Sequence, residues 1–118
     1  MTEYEPILRH EFTAADGSFL LQLRCDLTWD RAAFSRLVLA MEQCAASHSG
    51  RDVIERWVAE GFWYLEQFTP DWSTHPNFPR PHGEKYYEAA YQRLHDLSYW
   101  LFVGDSPYHG NEPHGEVC

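Results

Sequence analysis

The sequence predicts an α+β fold in which an N-terminal β-hairpin packs on a layer of three helices. Apolar residues alternate with mostly polar ones in FLLQLRCDL, residues 19–27, which is the period of a half-buried strand. The Asp16-Gly17 pair directly upstream favours the tight turn that closes a hairpin. In the rest of the chain apolar residues recur at spacings of three and four, which is typical of amphipathic helices.

The hairpin has a predicted register. If Asp16-Gly17 closes a two-residue loop, Phe12 lies opposite Leu21 and apolar residues face one another along the pair. Glu11 and Arg9 then lie on the less buried face. We therefore expect Phe12 to be buried and Glu11 to be exposed.

Three helices and a tail complete the predicted organisation. The helices run from the Thr28 cap to about Ser47, from about Gly50 to Phe68, and from about Glu84 to Val103 with Gly104 as terminator. Gly61 falls on the apolar face of the second helix, where it is expected to permit close packing. Residues 1–104 are assigned to a single domain and residues 105–118 to a polar tail.

Charge and composition restrict the classes of function. The net charge of −9, with few and scattered basic residues, argues against binding to nucleic acid or to an anionic membrane surface. A basic partner protein is favoured electrostatically. The N-terminal segment MTEYEPILRHEF does not resemble a signal peptide and the three cysteines form no CxxC pair, so we expect a cytoplasmic protein with free thiols.

The first candidate binding segment is the proline-rich connection, residues 69–83, together with the start of the last helix. Four prolines stiffen this connection, so its side chains could form a preformed recognition surface. The alternative is that its aromatic rings fold back over the helix ends as a secondary core. The candidate residues are Trp72, His75, Phe78, His82, Tyr86 and Tyr87.

A second candidate surface consists of three aromatic residues that lie outside the apolar stripes of their predicted helices. These residues are Trp63, Tyr99 and Trp100. Exposed Trp and Tyr are common anchors of protein interfaces. The alternative is that the hairpin, the connection or the tail covers them.

No metal, cofactor or catalytic group is predicted. In the tail, His109, His114 and Cys118 have zinc-compatible ligand types, but their spacing is not that of a structural zinc site. In the predicted hairpin, His10 and Cys25 would be diagonal neighbours, where packing is favoured over catalysis by a Cys–His pair.

The sequence therefore favours a non-enzymatic protein-binding module. An inhibitor, an immunity-type protein or an assembly factor fits its small size and acidic surface, with another protein or a second copy of the chain as partner. The alternative is a small-molecule-binding or enzymatic domain with a pocket under the connection, residues 69–83. Trp72, His75, His82, Tyr86 and Tyr87 would line that pocket.

Overall fold

The computed structural model describes residues 4–107, and this part of the chain forms five helices. They are α1 (Tyr4–Phe12), α2 (Phe19–Cys25), α3 (Arg31–His48), α4 (Arg56–Ser73) and α5 (Glu84–Val103). Helix α3 packs between α1 and α5, α4 packs on α5, and the short α2 contacts α1, α3 and α4. The predicted α+β fold is wrong, because residues 4–107 contain no strand.

The segment predicted as the second strand is helix α2. Its buried residues, Phe19, Leu20 and Leu23, have the i, i+1, i+4 spacing of one helical face. The helix is capped by Ser18, whose Oγ accepts a hydrogen bond from the backbone N–H of Leu21 at 3.1 Å. The short run FLLQLRC fits both periods, so alternation alone could not decide between strand and helix.

The Asp16-Gly17 pair belongs to the connection between α1 and α2. Gly17 has a φ of 81°, in the left-handed region that glycine adopts without steric cost. The turn signal was therefore right about the backbone and wrong about the flanking elements. The predicted register fails with it, since Glu11 is only 2% exposed and Phe12 is half-buried.

Glu11 is buried because it caps the next helix. Both of its carboxylate oxygens accept a hydrogen bond from the backbone N–H of Phe19, at 3.0 and 3.2 Å. That amide is the first of α2, and the first amides of a helix have no partner within the helix. Burial raises the pKa of Glu11 above its ordinary value of 4.5, and the hydrogen bond from Phe19 opposes this shift.

The raised pKa of Glu11 predicts a specific pH dependence. Because the folded state holds the proton more tightly than the unfolded state, stability contributed by Glu11 is lost as pH rises through its folded pKa. Glu11→Gln keeps an acceptor for the Phe19 amide but cannot ionise. We therefore expect the variant to gain stability relative to wild type in urea unfolding as pH rises from about 4.5 through the folded pKa of Glu11. Exposed Glu88 provides the control, Glu88→Gln, and parallel wild-type and Glu11→Gln curves would refute the assignment.

Helix α4 differs from the predicted second helix at both ends. It begins at Arg56 and continues through Pro70 to Ser73, so the connection to α5 shortens to residues 74–83. Side-chain hydroxyls bond the carbonyls of its last turn: Ser73 Oγ donates to Thr69 O at 2.6 Å and Thr74 Oγ1 donates to Pro70 O at 2.8 Å. The Thr74 hydroxyl adds to the bond that its own backbone N–H donates to Pro70 O at 3.1 Å, so side-chain and backbone donors together hold the last turn of the helix.

The other two predicted helices are close to those observed. The predicted inner stripe of α3 is buried along its whole length; its residues are Ala33, Phe34, Leu37, Val38, Met41, Cys44 and Ala45. Asp30 caps this helix in place of the predicted Thr28, with its Oδ1 accepting from the Ala33 N–H at 3.1 Å. Helix α5 has the predicted limits, and Gly104 ends it with a φ of 95°.

Gly61 marks the place where α1 approaches α4. A Cβ at this position would overlap the ring of Phe12. The Phe12 ring also makes edge contacts with Trp57 and Phe62, at centroid distances of 6.0 and 6.1 Å. Gly61 thus permits close packing as expected, and the approaching element is helix α1.

Replacing Gly61 with alanine tests this contact. The gain in helix propensity is about 1 kcal/mol, but overpacking costs about 1–3 kcal/mol. We expect Gly61→Ala to lower the free energy of unfolding in wild type and to be less costly, or favourable, in a Phe12→Leu background. A double-mutant cycle in urea measures this coupling. If Gly61→Ala stabilises both backgrounds equally, the packing explanation is incorrect.

Candidate interaction surface

The nine predicted binding residues occupy three different environments. Phe78, Tyr86 and Tyr87 are buried in the core. Trp72, His82 and Trp100 are half-buried, whereas His75 is exposed in the connection, residues 74–83. Among the Trp, Tyr and Phe residues of this set, only Trp63 and Tyr99 have about half of their surface exposed, at 57% and 45%.

The buried group packs around Trp29, a residue that the sequence did not single out. The ring of Trp29 makes edge contacts with Tyr86 at 5.8 Å and with Tyr87 at 5.1 Å. Its Nε1 donates a hydrogen bond to the hydroxyl of Tyr86 at 2.8 Å. Trp29 comes directly before Asp30, the N-cap of α3. An apolar residue at this position commonly packs against the helix, so the sequence did contain a signal for the burial of Trp29.

The connection, residues 74–83, is held down by its own polar side chains. Arg80 donates to Ser73 O at 2.7 Å and to the Tyr91 hydroxyl at 3.0 Å, and it pairs with Glu84 at 3.0 Å. His82 Nε2 lies 3.2 Å from Trp29 O. The segment therefore closes over the core with Phe78 buried, while His75 stays exposed.

Trp72 on α4 and His75 in the connection belong to one row of stacked rings. Tyr64 stacks on Phe68 at 4.9 Å, Phe68 on Trp72 at 5.3 Å, and Trp72 on His75 at 6.5 Å. Each ring covers part of the next one, which reduces the area open to a partner. Trp72 is nine residues from Trp63, or half a turn away at about 100° per residue, so the two tryptophans lie on opposite sides of α4.

Trp63 and Tyr99 lie at the same level on neighbouring antiparallel helices. Each directly follows a residue of the α4–α5 seam, where Ser98 Oγ lies 3.5 Å from Phe62 O. One turn away, His95 Nδ1 lies 2.7 Å from Glu66 Oε2 across the same seam. On α5, Phe102 follows Tyr99 by three residues and is 46% exposed. We call Trp63, Tyr99 and Phe102 the α4–α5 patch.

Phe102 was not singled out from the sequence, and Trp100 lies apart from this patch. Phe102 lies outside the apolar stripe predicted for α5, and this position in the sequence already indicated that its side chain would be exposed. Trp100 lies on the side of α5 that faces α3, where its Nε1 is 3.3 Å from Ser49 Oγ. The patch therefore contains two of the three aromatic residues predicted for the second surface, together with Phe102.

Acidic residues surround the patch. Glu60 and Glu66 are each within one helical turn of Trp63, and Asp96 is within one turn of Tyr99. Glu66 is engaged by His95 across the seam, whereas Glu60 and Asp96 lie on the outer sides of the helices. An apolar centre with an acidic margin is the arrangement that a basic surface complements.

The described residues offer no accessible nucleophile of the Cys–His type. His10 and Cys25, predicted as neighbours in the hairpin, are exposed on separate helices, α1 and α2. Instead, Cys44 Sγ lies 3.7 Å from His48 Nδ1, one turn along α3. Burial raises the pKa of Cys44 to about 12, so this residue is a buried thiol at neutral pH.

Within residues 4–107 no three His, Cys, Asp or Glu side chains are placed to hold a metal ion. The tail residues considered for zinc, His109, His114 and Cys118, lie outside the described residues. In the same described part of the chain, no helix has the length and apolar character needed to cross a bilayer. Comparison with protein-family models, curated proteins and solved structures found no match.

Proposed function

We propose that this chain is a non-enzymatic, cytoplasmic binding module that docks another protein through the α4–α5 patch. The observation that supports this proposal is the placement of exposed Trp63 and Tyr99 side by side on two packed helices. Trp and Tyr supply a large share of binding energy at protein interfaces. Because the core holds both helices, docking orders little backbone and its entropic cost is low.

The partner is a basic protein with an apolar pocket. Glu60, Glu66 and Asp96 flank the patch in a chain whose net charge is −9. Two copies of the same acidic face would repel each other, so a different protein is favoured over self-association. An inhibitor, an immunity-type protein or an assembly factor would use such a surface.

The alternative pocket under the predicted connection, residues 69–83, has less support. Phe78 and Tyr87 fill the space beneath it, and Arg80 and His82 hold the segment in place. Two clefts found among the described residues are lined by residues of α1 to α4 and of the α3–α4 connection instead. Small-molecule binding under this segment remains a hypothesis from the sequence.

Site-specific photocrosslinking tests the proposed surface. Benzoylphenylalanine replaces Trp63 in one variant and Leu39 in a control variant, because Leu39 is equally exposed but lies on α3. We expect irradiation in cell extract to give an adduct with a basic protein at position 63 and no such adduct at position 39. The adduct protein is then purified and shown to bind the unmodified chain.

Three results would contradict the proposal. The first is the same adducts from both positions, which indicates non-specific capture. The second is an adduct at position 63 that consists only of a second copy of the chain. The third is a purified adduct protein that does not bind the unmodified chain.

A further inference from the structure

A cleft of about 480 Å³ lies where α1, α2 and α4 meet, on the other side of Glu60 from the α4–α5 patch. Its apolar walls are formed by Phe12, Leu20, Trp57, Gly61, Tyr64 and Leu65. Because Gly61 has no side chain and the Phe12 ring lies directly on it, the wall of the cleft is apolar there. The volume falls within the range of about 300–1,000 Å³ that is usual for small-molecule sites.

Two arginines line this apolar cleft. The guanidinium of Arg9 lies 4.0 Å from the ring centre of Trp57, and that of Arg24 lies 5.8 Å from the ring centre of Phe68. Stacking on aromatic rings orients a guanidinium and leaves its N–H donors directed outward along the ring plane. Two of the nine basic residues of an acidic chain are thus gathered at one apolar opening.

These guanidinium groups have donors available for a ligand. Within residues 4–107, no carboxylate forms an ion pair with Arg24. Arg9 pairs only with Glu5, at 3.3 Å between two partly exposed side chains. Exposed pairs of this kind contribute about 0–1 kcal/mol and exchange readily. A carboxylate that enters the cleft can therefore accept hydrogen bonds from either arginine without breaking a buried interaction.

One acidic residue, Glu60, also lines the cleft. Glu5 pairs with Arg9, whereas no carboxylate among the described residues forms an ion pair with Arg24, so the unpaired charge at the opening favours a ligand with a single negative charge. The planar guanidinium matches the geometry of a carboxylate, and the walls match an aromatic or aliphatic body. We propose that the cleft binds a small monocarboxylate with an apolar body.

Three probes with the same phenylalkyl body test the charge preference: phenylbutyrate, phenylbutanamide and phenylbutylamine. Titration of the full chain is followed by amide NMR, with Gly61 as the reporter in the wall of the cleft. We expect the acid to bind roughly tenfold more tightly than the amide, and the amine to bind most weakly, since charge-assisted hydrogen bonds are the stronger ones. Equal affinities, or tightest binding of the amine, would overturn the proposal.

Two variants test the arginines. Arg24→Gln and Arg9→Gln change exposed side chains, and we expect each to weaken phenylbutyrate binding roughly fivefold to tenfold while the amide is unaffected. Arg56→Gln is the control, because Arg56 is exposed on α4 and does not line the cleft. If all three variants weaken binding equally, the effect is one of overall charge and the site assignment is wrong.

Discussion

Trp29→Ala is expected to lower the free energy of unfolding by about 3–5 kcal/mol, since truncation of a buried Trp creates a large cavity. Trp29 is only 4% exposed. Its ring contacts Phe19 at 4.9 Å and Phe34 at 5.1 Å, in addition to Tyr86 and Tyr87. The substitution also removes the buried hydrogen bond to the Tyr86 hydroxyl. One side chain therefore connects α2, α3 and α5.

The matched control is Trp63→Ala. Trp63 is the same residue type but is 57% exposed, so we expect its truncation to cost no more than about 0.5 kcal/mol. Urea unfolding followed by far-ultraviolet circular dichroism measures both variants against wild type. A small loss for Trp29→Ala, or an equally large loss for Trp63→Ala, would show that the core has been placed incorrectly.

The parts of the fold that the sequence predicted depend on long, regular patterns. The inner stripe of α3 and the limits of α5 both come from helical periodicity sustained over about five turns, which has no competing interpretation. Gly104 added a local stop signal whose left-handed φ is observed. Such features are encoded within one stretch of chain.

The N-terminal error has a different physical origin. Seven residues of α2 fit a strand and a helix equally well, so the outcome depends on contacts from elsewhere in the chain. One such contact is the hydrogen bond that the backbone N–H of Phe19 donates to the carboxylate of Glu11, eight residues earlier in the chain. A buried carboxylate that caps another helix has no signature in local periodicity, and this is why Glu11 was predicted to be exposed.

The sequence also indicated only those features of the candidate surface that depend on local position along a helix. Exposure of Trp63 and Tyr99 follows from their positions outside the helix stripes, which is a local property. Burial of Tyr87 beneath the connection depends on the path of that segment. The path is set by contacts such as that between His82 and Trp29, 53 residues apart. Proline content predicted a stiff segment but not where it would lie.

Loss of partner binding is the second large effect that we expect. Truncation of a central aromatic anchor typically costs about 2 kcal/mol or more, or roughly 30-fold in Kd. Trp63→Ala and Tyr99→Ala should each have an effect of this size on the partner identified by crosslinking. Both residues are exposed, so each variant should retain its helical content and its stability.

The matched control for binding is Leu39→Ala, since Leu39 and Trp63 are both 57% exposed and lie on different helices. Glu60→Gln tests the acidic margin separately. We expect it to slow association and to reduce the salt dependence of binding, with a smaller change in Kd than the aromatic variants. If Glu60→Gln left the salt dependence of binding unchanged, this result would contradict a basic partner but not the role of Trp63 and Tyr99 as anchors.

The most direct measurement is the Kd of the purified partner for wild type, Trp63→Ala, Tyr99→Ala and Leu39→Ala, determined under one salt condition. The proposed surface predicts a loss of roughly 30-fold for each of the two aromatic variants and a change of less than about twofold for Leu39→Ala. Wild-type affinity in correctly folded Trp63→Ala and Tyr99→Ala, or an equal loss in Leu39→Ala, would contradict a protein-binding role for the α4–α5 patch.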